Sequence, residues 1–374
     1  MDRERRRQFL AGVLQAGVCF PFLGSRLCAA EEVFVPLRQL AAEKGVEFGF
    51  AVDPVKLNSD PTYQDVVARQ ASIVVPENAL KWQAVHPEPE RYDFGPADVI
   101  AAFAQAHHQR MRGHTFCWHR ALPAWVTGTV TQVNAEKVLV DHIGVVASRY
   151  RGRISSWDVV NEAIQIDDAQ PGGLRNAFWY HMLGPRYLDI AFHAAHEADP
   201  AAVLCYNDYG LESEGRYGDS KRAAVLAMLR GFRQRGVPVG ALGIQSHLRA
   251  SEGGDKQRFG DGLASFITAV RNLGFSVYVT ELDVDDSLLS GSDEARDGIV
   301  ADTYKRYLNV VLGTRAVSAI LTWGVWDTPH RTGATPGNGP LAQRPLVFGP
   351  QGEVKPASWV VEHGLQRMDK MGSG

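Results

Sequence analysis

Two glutamates carry the first chemical signal in this chain. Glu162 closes the run Trp157-Asp158-Val159-Val160-Asn161-Glu162, and Glu281 follows the run Ser276 to Thr280 and leads into Leu282-Asp283. Both follow stretches that read as β-strands, a place that sets a carboxylate at the rim of a sheet. A pair of carboxyls facing across a cleft is the equipment of a glycosidase, in which the protonated one donates to the leaving oxygen while the other attacks the anomeric carbon. Asp283, two residues beyond Glu281, and His247 on the preceding strand form an Asp–His pair able to hold Glu281 ionised, which suits the attacking group. Asp158 and Trp157 place a carboxylate and an apolar surface near Glu162, and both raise a carboxyl pKa, as a proton donor requires. One rim glutamate alone reads as a surface or salt-bridged residue; two, each in a strand-end cluster, favour catalysis.

Aromatic and amide side chains point to a sugar. Trp82, Trp118, Trp323 and Trp326 lie near strand ends, where an indole offers a flat apolar face to the C–H groups of a pyranose and an N–H to a hydroxyl. Trp157, Trp179 and Trp359 read as core. Asn78, Lys81, His114, Asn161, Asn207 and Gln245 supply donors suited to hydroxyl groups. His114, Cys117 and His119 invite a zinc site, but strand alternation turns His114 and Trp118 one way and Cys117 and His119 the other. The sequence has no tight set of metal ligands, phosphate loop, dinucleotide fingerprint or Gly-x-Ser-x-Gly elbow, so neither metal nor cofactor is expected.

These residues need a scaffold that gathers strand ends. Short β-branched runs occur at Phe48 to Val52, Ser72 to Pro76, Arg112 to Trp118, Ser155 to Val160, Ala202 to Asn207, Gly240 to Ser246, Ser276 to Thr280 and Ala316 to Trp323. Between them apolar residues recur at helical spacing, clearest in Val133 to Tyr150, Tyr187 to Ala198, Ser220 to Gln234, Phe266 to Leu273 and Ile299 to Leu312. Strand and helix alternating in this way predict an α/β fold, a (β/α)8 TIM barrel in one domain, with a doubly wound open sheet as the rival. The polar residues collect after the strands: Glu77, Asn78 and Lys81; His114, Trp118 and His119; Asn161 and Glu162; Asn207 and Asp208; Gln245 and His247; Glu281 and Asp283; Trp323, Trp326 and Asp327. A barrel brings those ends to one mouth, its active face.

The chain has 374 residues, 45% hydrophobic and 22% charged, with a net charge of −3, which excludes a disordered chain and offers no basic surplus for nucleic acid. Five arginines against Asp2 and Glu4 give the first thirty residues a charge of +3. Arg6-Arg7-Gln8-Phe9-Leu10, a weakly apolar stretch to Leu23 and small residues at Ala29 and Ala30 match a twin-arginine export signal. The expectation is a signal over 1–30, a catalytic barrel over 31–374, and an exported monomer that is not held at a membrane after cleavage. The bland alternative is a chance basic N-terminus followed by a short core helix. Cys117 and Cys205 remain after that cleavage; with one strand between them they lie beyond the ~7 Å reach of a disulfide and should be free.

At these positions the chain resembles glycoside hydrolase family 10, the endo-β-1,4-xylanases, along the whole expected barrel. The segments that carry the likeness are Glu77-Asn78-Ala79-Leu80-Lys81-Trp82, Gly113-His114-Thr115 through Trp118-His119, Trp157 to Ala163, Tyr206-Asn207-Asp208-Tyr209, Gly243-Ile244-Gln245-Ser246-His247, Thr280-Glu281-Leu282-Asp283, Thr322-Trp323-Gly324-Val325 and Arg344-Pro345-Leu346-Val347-Phe348. The resemblance implies that Glu162 is the acid/base and Glu281 the nucleophile of a retaining enzyme acting on xylan or xylo-oligosaccharide. It implies that Glu77, Asn78, Lys81, His114, Trp118, Asn161, Gln245, His247 and Trp323 line the non-reducing side of the cleaved bond, with Asn207 and Tyr206 near the acid/base and the leaving-group side. One departure stands out: Trp323-Gly324-Val325-Trp326-Asp327 is followed by Thr328-Pro329-His330-Arg331 where the family has a Ser-Trp pair, so either Trp326 is the substitute roof or the site is more open there. Gly349 also replaces a common aspartate. An exo-acting member, or a silent polysaccharide-binding barrel, are the competing readings.

Overall fold

The computed structural model describes residues 33–252, 256–328 and 343–368. Its nine strands are β1 (Glu47–Val52), β2 (Ile73–Pro76), β3 (Arg110–Cys117), β4 (Ser156–Asn161), β5 (Val203–Asp208), β6 (Ala241–Ile244), β7 (His247–Arg249), β8 (Ser276–Asp285) and β9 (Val317–Thr322). Every pairing is parallel, β1 lies between β2 and β9, and β6 pairs with β8, which closes the sheet into the expected eight-staved barrel. The rival open sheet is thereby excluded. The predicted run Gly240 to Ser246 ends early, at Ile244: Ser246 has φ +66°, and the chain beyond the run forms β7 against the end of β8, in the register His247 with Asp283. That extra pairing carries β8 past its expected end at Thr280.

Helices cover the outer face. Tyr187–Ala198 has its expected bounds, and Asp261–Asn272 buries Leu263, Phe266, Ile267 and Val270, one stripe at three- and four-residue spacing. Inside the barrel a smaller layer of Ala51, Ile73, Val75, Cys205, Ala241, Tyr278, Ala319 and Leu321 surrounds the buried guanidinium of Arg112, which is paired with Asp158 and lies 5.3 Å from the Tyr278 ring centre. Gly113 makes room for the indole of Trp157, since a Cβ there would stand 2.0 Å from its ring. Cys117 and Cys205 are free and buried, on strands separated by β4.

Trp82 departs from its expected place at the rim. It stacks on His142 at 3.7 Å between ring centres and lies near Trp125 and Trp179, because the short helix Trp82–Val85 turns it away from the side that carries Lys81. His142 in turn meets His86, Nδ1 to Nδ1 at 3.1 Å. His86 Nε2–H donates to the Pro89 carbonyl at 3.2 Å, so its Nδ1 must accept from His142, whose Nε2 is buried without a partner. Burial therefore keeps both rings neutral and lowers both pKa values, that of His142 well below the ordinary range. A histidine depressed in the fold takes up its proton first in the unfolded chain, so stability present above the ordinary value of ~6.5 is lost as pH falls below it. The expected result is a melting temperature that drops between pH 7 and pH 5 and a shallower drop in His142→Phe, measured by calorimetry; equal slopes would refute it.

Candidate active site

The ends of β4, β5, β6 and β8 meet in one hydrogen-bonded group of carboxylates and amides. Asn207 Nδ2 donates to Glu281 Oε1 at 2.7 Å and to Asn161 Oδ1 at 2.9 Å, while the Thr280 hydroxyl donates to Asn207 Oδ1 at 2.7 Å. Every polar atom of the Asn207 amide is engaged, which fixes its orientation. The close approach requires glycine at 243, where a Cβ would lie 2.2 Å from Asn207 Oδ1. On the other oxygen of Glu281, His247 Nε2 stands at 3.1 Å, and His247 Nδ1 lies 2.9 Å from Asp283 Oδ2. Both acceptors are carboxylates, so both ring nitrogens donate only as the imidazolium. Burial opposes that charge, but Asp283 and Glu281 outweigh it and hold the His247 pKa well above its ordinary value. The register of β7 on β8 creates this pair.

Glu162 has φ +58°, an uncommon conformation for a residue with a side chain, and its N–H donates to the Asn207 carbonyl at 2.8 Å. Gln245 Nε2 donates to Glu162 Oε1 at 3.1 Å and to Asn161 Oδ1 at 3.2 Å, and Asn161 Nδ2 lies 3.3 Å from Glu162 Oε1. The two glutamates are thus joined through Asn161, Asn207 and Gln245. The expectation that Asp158 raises the Glu162 pKa is corrected. Asp158 lies fully buried against Arg112 and against His114 Nδ1 at 3.0 Å; burial raises its pKa, but the Arg112 charge and the His114 hydrogen bond outweigh it, and the net direction is down. At Glu162 burial also pushes up, but the Gln245 hydrogen bond, the nearby Trp118 indole and the groups His119 and Arg175 pull further, and the net direction is down.

Beside Glu281 the residues after β2, β3 and β9 form a second group. Lys81 Nζ donates to Asn78 Oδ1 at 2.8 Å and stands 5.3 Å from the ring centre of Trp118 and 5.5 Å from that of Trp323, while the His114 ring is 5.3 Å from Trp323. Burial lowers the Lys81 pKa against the attraction of Glu281, Glu77 and Glu162. Glu77 and Asn78 stand at the open edge of this group. It offers a cation, carboxylates, amides and two half-buried indoles, the mixture that recognises a hydroxylated ring.

Two expected contacts are not made. Trp326 is 6% exposed and packs edge-on against Tyr63 at 5.0 Å, beneath the helices that follow β1, so it does not replace a roof tryptophan. Pro329, His330 and Arg331 lie outside the described residues. Tyr206 is fully buried behind the sheet, its hydroxyl on Asp208, because alternation along β5 sends Asn207 inward and Tyr206 outward. Asn207 stands beside the acid/base candidate as expected, its carbonyl accepting the Glu162 N–H at 2.8 Å, while its amide serves Glu281. Tyr209 and Arg175 were missed, and His119, placed at this rim by the sequence, was given no role beside Glu162. A register shift between His114 and Cys117 breaks the alternation that set His119 apart, and Cys117, Trp118, His119, Glu162 and Arg175 line one cavity. His119 Nδ1 is 3.7 Å from Glu162 Oε2, and its pKa is lowered to about 4, by burial first and then by Arg175. Tyr209 was signalled by its spacing of two from Asn207; Arg175 had no local signal. Among the described residues no cluster of three metal-binding side chains occurs.

Comparison with known proteins agrees with this geometry. The sequence model of glycosyl hydrolase family 10 matches residues 36–363. The chain is 36% identical over 296 residues to endo-1,4-beta-xylanase B of Thermotoga neapolitana, covering 78% of this chain and 82% of that one. It is 33% identical to a beta-1,4-xylanase of Dictyoglomus thermophilum, over 80% of this chain and 83% of the relative. Among solved structures, native xylanase 10B from Thermotoga maritima aligns with a TM-score of 0.78 at 34% identity, covering 89% of this chain and 98% of that one. Xylanase 10B from Thermotoga petrophila in complex with xylobiose gives the same score and coverage at 33% identity.

Proposed function

This chain belongs to glycosyl hydrolase family 10, and from that premise we propose that it cleaves internal β-1,4 bonds of xylan with retention of configuration. The observation that carries the reading is the division of labour in the cleft: Glu281 is held by Asn207 and the His247–Asp283 pair, and Glu162 stands apart from it across shared amides. Lys81, Asn78, Glu77, Trp118 and Trp323 bind the sugar on the non-reducing side. Glu281 attacks its anomeric carbon, and Glu162 delivers a proton to the departing oxygen; in the second step Glu162 takes a proton from water as the glycosyl–Glu281 ester is hydrolysed. The Glu162 side chain is 11% exposed in the free cleft, and a sugar lying over it strengthens the burial that favours the protonated acid. Proton NMR of the first product from a xylo-oligosaccharide tests retention: the β-anomer should appear first, and an initial α-anomer refutes it. A fall in xylan viscosity ahead of reducing-end release marks endo cleavage, whereas steady release of short products with unchanged viscosity marks an exo enzyme.

We also propose that the exported form begins after the basic N-terminal segment, which lies outside the described residues. Fractionation should find the protein outside the cytoplasm, and Arg6→Lys with Arg7→Lys should retain it inside; export unaffected by that pair would remove the twin-arginine route.

A further inference from the structure

The segment that follows Glu162 folds back on itself. Ile164 pairs with Leu174 as an antiparallel bridge, Gln165 N–H donates to the Gly173 carbonyl at 2.8 Å, and Arg175 N–H donates to the Ala163 carbonyl at 2.7 Å. This hairpin sets Arg175 beside the residue it trails by thirteen positions. Arg175 Nε donates to the Glu162 carbonyl at 2.7 Å, and a second guanidinium nitrogen donates to the Tyr209 hydroxyl at 2.9 Å. Tyr209 is gripped from its other side by Lys221, whose Nζ is 3.7 Å from the ring centre and 2.8 Å from Asp208 in a fully buried ion pair. A planar fork with fixed donors therefore ties the strained Glu162 backbone to the end of β5.

We propose that Arg175 is a positioning residue for the acid/base: its guanidinium fixes the left-handed Glu162 main chain through the carbonyl and sets the charge beside the carboxyl. The proposal rests on the acid/base reading of Glu162. The fork has a mechanical and an electrostatic part. Mechanically, Glu162 is held at its N–H by the Asn207 carbonyl and at its C=O by Arg175, so the carboxyl is aimed by both flanks. Electrostatically, the ionisable groups that act on Glu162 are Lys81 after β2, His119 after β3, Arg175 in the hairpin and Asp208 on β5, while Arg120 and Asp168 act on His119 beside it. Arg175 is the cation among them bonded directly to Glu162, and it also helps to keep His119 neutral.

The test compares Arg175→Gln, Arg175→Lys and Tyr209→Phe with the parent on two substrates, xylan and an aryl xylobioside whose leaving group departs without a proton. Arg175→Gln should lower kcat/KM on xylan about tenfold more than on the activated substrate and move the alkaline limb of the xylan pH profile upward. Arg175→Lys should restore the limb and recover less of the rate, since an ammonium keeps the charge and loses the fork; Tyr209→Phe should leave the limb in place. A limb unmoved in Arg175→Gln, or equal losses on both substrates in a variant that still folds by circular dichroism, overturns the proposal. Glu162→Ala in parallel separates the two ideas: if its glycosyl–enzyme burst on the activated substrate falls as far as its rate on xylan, the acid/base assignment itself is wrong.

Discussion

Glu281→Gln is expected to reduce kcat on xylan by ~10⁴-fold or more, with KM little changed and the fold intact. The amide is almost the shape of the carboxylate but cannot form the covalent ester. It also mismatches its neighbours, because Asn207 Nδ2 and the imidazolium of His247 both donate toward that group. On the scale of ~1.4 kcal/mol per decade, the loss corresponds to ~5.5 kcal/mol of transition-state stabilisation. A second readout follows from linkage. The His247 pKa is raised partly by Glu281, so deleting that charge should lower it, and NMR titration of the imidazole would show the shift. Residual turnover within ~10²-fold of the parent would place the nucleophile elsewhere.

Glu162→Ala should divide substrates rather than abolish all turnover. General acid catalysis contributes ~10²- to ~10⁴-fold, and a loss of that size is expected on xylan, whose leaving alcohol needs a proton. An aryl xylobioside with a leaving group of low pKa should form the glycosyl–enzyme at close to the parent rate and then stall, because the same residue activates water in the second step. Burst kinetics would record the stall. Matching losses in the burst and on xylan would remove the division of roles between Glu162 and Glu281. The downward direction of the Glu162 pKa in the free cleft adds a consequence: the acid form becomes scarce as pH rises, so the alkaline limb of kcat/KM belongs to the unoccupied site and that of kcat to the occupied one.

The barrel was legible in the sequence because a parallel strand buried on both faces writes itself as a continuous β-branched run, and its covering helices write apolar residues at three- and four-residue spacing. The same local order put Glu162, Asn161, Asn207, Gln245, His247 and Glu281 at strand ends. What was misread lies where the chain leaves regular alternation. Trp326 and Tyr206 have the right residue types at the right ends, yet each faces the helices: Tyr206 because the side chain next to an inward one on β5 points outward, and Trp326 because it lies past the end of β9, beyond Gly324 with φ +135°. His119 joined the Glu162 cavity only through the register shift in β3.

By itself the sequence determined the fold class, the two carboxylates and the Asp–His pair, since each depends on residue type and short-range periodicity. Tertiary structure decided which group each carboxylate answers to. Asp158, close to Glu162 in sequence, is ion-paired with Arg112 and hydrogen-bonded to His114 from the neighbouring strand, whereas Arg175, distant in sequence, reaches the Glu162 carbonyl through a hairpin. Electrostatic influence falls with distance in space and with the charges already paired, and neither quantity is written in the spacing of residues along a chain.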